Sequence, residues 1–160
     1  MTDFQHDYNR CSWWVAQKFQ LAAAKVLAEE SRVRVQVGYW QTRDIYPVSV
    51  YLSLGCWDPQ KDEILVVSFQ VWQGDGIRRS SCDILVDNYL IFAEMPVSEF
   101  PAGSDSDEFP TWLGSVAENA VAWVDSRIPY IVSIVKEHAF LFADEQLSCS
   151  ESDKGERVSN

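Results

Sequence analysis

Two rhythms of apolar and polar residues divide the chain. Between residues 11 and 30, Val15, Phe19, Ala22 and Val26 recur at spacings of four, three and four, which stacks them on one stripe of a helix. The intervening alanines and leucines add helix propensity. Asn9 and Ser12 are the residues available to cap its start. From Arg32 the period shortens to two. Val33, Val35, Val37 and Tyr39 alternate with Arg32, Arg34, Gln36, Gly38 and Trp40, the pattern of a strand with one wet face. Residues 45–54 repeat it, with Tyr46, Val48, Val50, Leu52 and Leu54 opposed to Pro47, Ser49, Tyr51 and Ser53. Pro47 marks an edge or a strand start. Residues 63–73 repeat it again, with Leu65, Val67, Phe69 and Val71 against Val66, Ser68, Gln70 and Trp72. A fourth strand is expected over 77–86 and a fifth over 89–95.

The connections read as hairpin turns: Gln41–Asp44, the Asp-Pro segment within Trp57–Asp62, Gly74-Asp75-Gly76, and Asp87-Asn88. Sequential hairpins imply an antiparallel meander, because parallel pairs need long crossovers. After Pro96 the chain predicts a loop over 97–110. Helical spacing returns at Leu113, Val116, Ala117, Ala120, Val121 and Val124. Pro129 suits the first turn of another helix, striped by Ile131, Ile134, Val135 and Phe142. The predicted fold is α+β, a five-stranded antiparallel meander packed by an N-terminal helix and two C-terminal helices. It forms a single domain over residues 1–143, followed by a polar, disordered acidic tail over 144–160.

Composition sharpens this picture where charge enters. The 160 residues are 47% hydrophobic with seven Trp, enough apolar surface for a folded core. The net charge of −11 is unevenly spread: residues 1–43 carry +2, residues 44–95 carry −5 and residues 96–160 carry −8. Such a surface repels phosphate, which argues against nucleic acid and against anionic membrane as partners, and for a basic protein. There is no run of 18 apolar residues, and the N-terminus shows neither a basic nor an apolar signal region. A cytoplasmic protein with reduced cysteines is expected. Cys11, Cys56, Cys82 and Cys149 lack ligand-like spacing, and a buried small hydrophobe is the role expected of each.

Catalytic and metal chemistry find little support in the pattern. His6 and His138 stand outside any nucleophile or metalloprotease motif. Asp105, Asp107 and Glu108 alternate like the opening of a calcium loop, but Pro110 and Val116 stand where it needs glycine and glutamate. Glu29-Glu30 and Asp62-Glu63 are adjacent and so diverge, rather than forming an acid/base pair. No metal or cofactor is expected. A third reading is a small enzyme with a pocket between sheet and helices, for which Cys82 and His138 are the best-suited reactive groups.

The sharper signal is the second face of the sheet. With the valines turned to the core, Arg32, Arg34, Gln36, Trp40, Ser49, Tyr51, Ser53, Ser68, Gln70 and Trp72 turn outward. Aromatic residues and arginine are enriched at protein interfaces. Covering helices or a partner subunit would account for them equally well. The composition is similar to that of bacterial toxin-neutralising immunity proteins, which implies a non-enzymatic inhibitor that neutralises a basic toxin or effector. On that reading Trp40, Tyr51 and Trp72 anchor the contact, and Asp58, Asp62, Asp75, Asp105, Asp107 and Glu108 steer it. The alternative is an acidic homodimeric secretion-type chaperone or adaptor. Trp13, Trp57 and Trp112 are equally suited to the core.

Overall fold

A computed structural model describes residues 4–42, 45–55, 65–86, 90–101 and 103–137. The order is α1 (Gln5–Glu29), β1 (Arg34–Thr42), β2 (Tyr46–Gly55), β3 (Leu65–Gly74), β4 (Ile77–Val86), β5 (Leu90–Glu94), β6 (Ser98–Phe100), a 3-10 turn (Ser106–Glu108) and α2 (Phe109–Glu137). The strands pair antiparallel in the order β1-β2-β3-β4-β5, and β6 joins β4 farther along the same side as β5. The predicted α+β meander is therefore present, with one strand added.

Alternation fixes the core face. Leu54 and Leu65 share a cross-strand row with Val35 and Val86, and Leu52, Val67 and Ile84 share the next with Val37 and Ala93. Val50, Phe69 and Cys82 form a third row, and Val48 and Val71 begin a fourth. All of these β2 and β3 residues are essentially sealed from solvent. Burying each such side chain contributes roughly 1.5–3 kcal/mol. Both helices cover this face, α1 over β1 and β2, and α2 beside α1 over β3, β4 and β6. They run in the same direction. Phe4 and Tyr8 of the α1 end meet Phe109 of α2, whereas Lys25 meets Asp125 and Glu29 meets Lys136 toward the other end.

Arg78 ties the two helix starts to the sheet. Its guanidinium lies 4.6 Å from the Phe109 ring centroid and 5.2 Å from that of Phe4, and its Nε donates to the Tyr8 hydroxyl at 3.2 Å. Phe100, opposite Arg78 in register, packs on Phe109 and Trp112. Partly desolvated cation–π contacts are worth about 1–2 kcal/mol. At the far end of α1, Arg32 holds the Glu30 carboxyl below its ordinary value by donating hydrogen bonds to it.

Several expected boundaries shift. Helix α1 starts at Gln5 rather than residue 11, because Phe4, Tyr8 and Cys11 carry the buried stripe backward. Phe4 is the N-cap, without a side-chain capping bond, so neither Asn9 nor Ser12 caps the helix. The second and third predicted helices are one. Pro129 lies inside α2, and Leu113, Ala117, Ala120, Val124, Ile131 and Val135 keep a single phase through it. Proline removes one backbone bond, and Ser126 Oγ donates nearby to the Trp123 carbonyl at 2.7 Å. The predicted loop over 97–110 contains β6 and the 3-10 turn. The Gly74–Gly76 turn is as expected: Asp75 and Gly76 have φ of +55° and +75°, both left-handed as a two-residue I′ hairpin requires. The Gln41–Asp44, Trp57–Asp62 and Asp87-Asn88 turns, Cys56 and the 144–160 tail lie wholly or largely outside the described residues.

Two substitutions test this packing by denaturant unfolding. Phe109→Ala should cost about 3–5 kcal/mol, since it empties the junction of both helices with the sheet. Ser12→Ala should stabilise by about 1 kcal/mol, because the Ser12 hydroxyl is fully buried and has no hydrogen-bond partner among the described residues.

Candidate functional site

The face of the sheet opposite the helices carries the candidate site. Its rows follow from register. One row is Trp40, Ser49, Gln70 and Ser81; the next is Gly38, Tyr51, Ser68, Asp83 and Glu94. Beyond the first row, Trp72 pairs with Arg79 and Arg79 with Glu99. The outward placement read from alternation thus holds for Trp40, Tyr51 and Trp72, and neither helix packs over them.

Each aromatic residue is held differently. Trp40 is 44% exposed and touches the Tyr46 ring at 5.7 Å between centroids. The β1 register shifts just beyond it, between Trp40 and Thr42. Tyr51 is half-buried and leans over Gly38; a Cβ at Gly38 would stand 2.5 Å from the Tyr51 hydroxyl. Glycine is required there by the ring's close approach. Trp72 is half-buried beside Arg79, whose Nε donates to Glu99 at 3.1 Å. Between these groups the small residues are recessed. Ser49 and Ser53 are 4% and 3% exposed although both lie on the outer face. The surface is therefore ridged by rings with serine-floored depressions.

The face also holds a pair of carboxylates. Asp83 and Glu94 are direct cross-strand neighbours. Asp83 Oδ1 is buried and has no hydrogen-bond partner among the described residues. Burial pushes the Asp83 carboxyl above its ordinary value, and the Glu94 charge adds to the rise. Neither residue stands out in the linear sequence. The signal that locates them is the strand phase, since Cys82 and Ile84 turn inward and force Asp83 outward.

The expected acidic steering set is divided. Asp75 sits at the β3–β4 turn, and Asp105, Asp107 and Glu108 precede α2 near the same end of the sheet. Asp105 Oδ1 accepts from the Asp107 backbone N–H at 3.0 Å, so this carboxylate caps the 3-10 turn. Asp58 and Asp62 lie outside the described residues, as do Trp57, Cys149 and His138. Trp13 is 58% exposed and is not a core anchor, whereas Trp112 is half-buried and donates to Ser98 Oγ at 3.3 Å. Arg32 pairs with Glu30 just before β1 rather than joining the outer face.

Of the two reactive groups considered from sequence, Cys82 is placed unfavourably for chemistry, and His138 lies outside the described residues. Cys82 is 1% exposed on the core face, and burial raises its thiol far above the ordinary range. Cys11 is likewise buried and pushed up to about 12. Such thiols stay protonated and unreactive at neutral pH. Glu29 and Glu30 diverge toward Lys136 and Arg32. Among the described residues no group of three metal-ligating side chains assembles, and no helix is long and apolar enough to cross a membrane. A groove of about 430 Å³ separates the first turns of α1 and α2, lined by Arg10, Trp13, Trp14, Pro110 and Glu118 among others. No protein family, no curated protein and no solved structure matches this chain.

The carboxylate pair has a pH signature. With its folded-state value raised, Asp83 favours the native state most at low pH, and that contribution is lost as pH rises from about 4 through the folded-state value. Asp83→Asn should therefore stabilise by roughly 0.5–1 kcal/mol at pH 7, the range for like charges paired across strands. The gain should vanish near pH 3. A gain independent of pH would show that the carboxylate charge is not what strains this site.

Proposed function

We propose that this chain is an acidic protein-binding module that recognises its partner through the outer face of the sheet. The observation that carries the reading is one surface combining exposed Trp40 and half-buried Tyr51 and Trp72 with the Asp83–Glu94 pair. Large rings supply contact area at small entropic cost, and recessed serines leave room for a partner's side chains. A cation arriving at the Asp83–Glu94 pair would relieve the repulsion between the two carboxylates. That selects a partner presenting Lys or Arg, in keeping with the net charge of −11.

Within this class the reading is an immunity-type inhibitor, which occludes a basic toxin or effector and performs no chemistry of its own. The acids at Asp75 and at Asp105–Glu108 flank one end of the face and steer approach from a distance. A secretion-type chaperone or adaptor is the second reading. It is favoured by the unguarded strand β1 at one edge of the sheet, which suits association between copies.

The test is affinity capture of a basic partner at low ionic strength, followed by titration of the purified pair. Trp72→Ala and Trp40→Ala should each weaken binding by about 2 kcal/mol, the level of interface hot spots. Raising salt should slow association, because exposed charges are screened beyond roughly 10 Å at 0.1 M. Equal affinity for the wild-type chain and both tryptophan variants would refute the outer face as the docking surface.

A further inference from the structure

The two edges of the sheet differ sharply. On one side, β4 is bordered by two short strands, β5 of five residues and β6 of three, separated by Pro96 and ending in Glu94 and beginning beside Glu99. Short strands, proline and acidic side chains are the usual means of preventing edge-to-edge pairing. On the other side lies β1, nine residues reading Arg-Val-Gln-Val-Gly-Tyr-Trp-Gln-Thr. It contains no proline, no lysine and no acid, and among the described residues no strand pairs with its outer side. A nine-residue edge of this kind is a template for another strand.

We infer that β1 pairs antiparallel with β1 of a second copy of this chain, across a two-fold axis, to give one continuous sheet through both subunits. Three observations select a second copy as the occupant. A partner must itself bring an unpaired strand of similar length, and the same edge on another copy provides one. A two-fold contact is self-complementary, so both edges are satisfied at once. Charge points the same way. Two chains of −11 repel, yet residues 1–43 carry +2, so the side built from α1 and β1 is where copies can meet without a like-charge barrier. The apolar surface is concentrated there too. Of the eight exposed large hydrophobic residues among those described, Trp13, Leu21, Leu27, Tyr39, Trp40 and Ile45 belong to α1, β1 and the turn that follows.

The register follows from the longest overlap of the regularly paired part of β1, residues 34–40, before the shift between Trp40 and Thr42. An axis through Val37 sets Arg34 opposite Trp40 and Gln36 opposite Gly38. It also sets Tyr39, 53% exposed on the helix side at the rim, beside the half-buried Val35 of the partner subunit. The outer faces of both subunits then become one surface. This inference stands on the edge and the charge distribution, and does not rest on what the outer face binds.

The full chain is tested by light scattering after size exclusion over a range of concentrations, with hydrogen exchange on the same samples. The wild-type chain should show twice its 18.3 kDa mass and fall toward 18.3 kDa on dilution. Amides of β1 should lose protection on dilution while those of β3 keep theirs. Tyr39→Glu, at an exposed position that the monomer tolerates, should give a folded monomer by circular dichroism, whereas Trp72→Ala should remain dimeric. A mass of 18.3 kDa at every concentration would overturn the inference. So would a dimer whose mass and β1 exchange are unchanged by Tyr39→Glu.

Discussion

Strands β2, β3 and β4 turn their fully buried apolar residues the same way, and the packing of the helices follows from that shared phase. Val48, Val50, Leu52 and Leu54 line up with Leu65, Val67, Phe69 and Val71, and the rows continue through Cys82 and Ile84. A one-residue slip in any hairpin would turn its strand inside out. The Asp75-Gly76 turn prevents this between β3 and β4 by fixing a two-residue loop. Because the apolar surface is on one side, both helices are drawn to that side. Arg78 and its surrounding rings then hold the helix starts in place. The opposite side is left to residues whose size and polarity no internal packing demands.

That asymmetry gives the outer face its meaning. Within a core, Trp40, Trp72, Asp83 and Glu94 would need partners for each polar atom. On the outer face the buried Asp83 Oδ1 stands without a hydrogen-bond partner among the described residues, and Glu94 sets a like charge across the strand. An unsatisfied pair of this sort is costly to keep in isolation and favourable to meet with a cation. The unguarded β1 edge lies next to this face, so recognition and self-association can act on adjoining surfaces of one sheet.

Much of this was legible in the linear sequence, and the remainder was hidden for identifiable reasons. Period two located the first four strands and the direction of Trp40, Tyr51 and Trp72, because each strand is long enough to show its phase. Three-residue β6 is too short for that, and only its pairing with Arg78–Ser80 identifies it. Pro129 suggests a helix start by local rule, but the stripe from Leu113 to Val135 crosses it without changing phase, and tertiary burial outweighs one lost bond. The polar run from Gln5 to Arg10 concealed the start of α1, although Phe4, Tyr8 and Cys11 already keep its spacing. Asp83 was inconspicuous for a different reason. Its raised value arises from burial within the sheet, with the Glu94 charge on another strand adding to it, and both exist only after folding. Of the acids conspicuous in sequence, Asp105 caps the 3-10 turn that precedes α2.

Oxidative footprinting of the tryptophans, free and in complex with a captured basic protein, bears most directly on the account. Trp40 and Trp72 should become protected on binding, while Trp13, 58% exposed on α1, stays as reactive as before. Protection of Trp13 with Trp40 and Trp72 unchanged would place recognition on the helices and contradict the account.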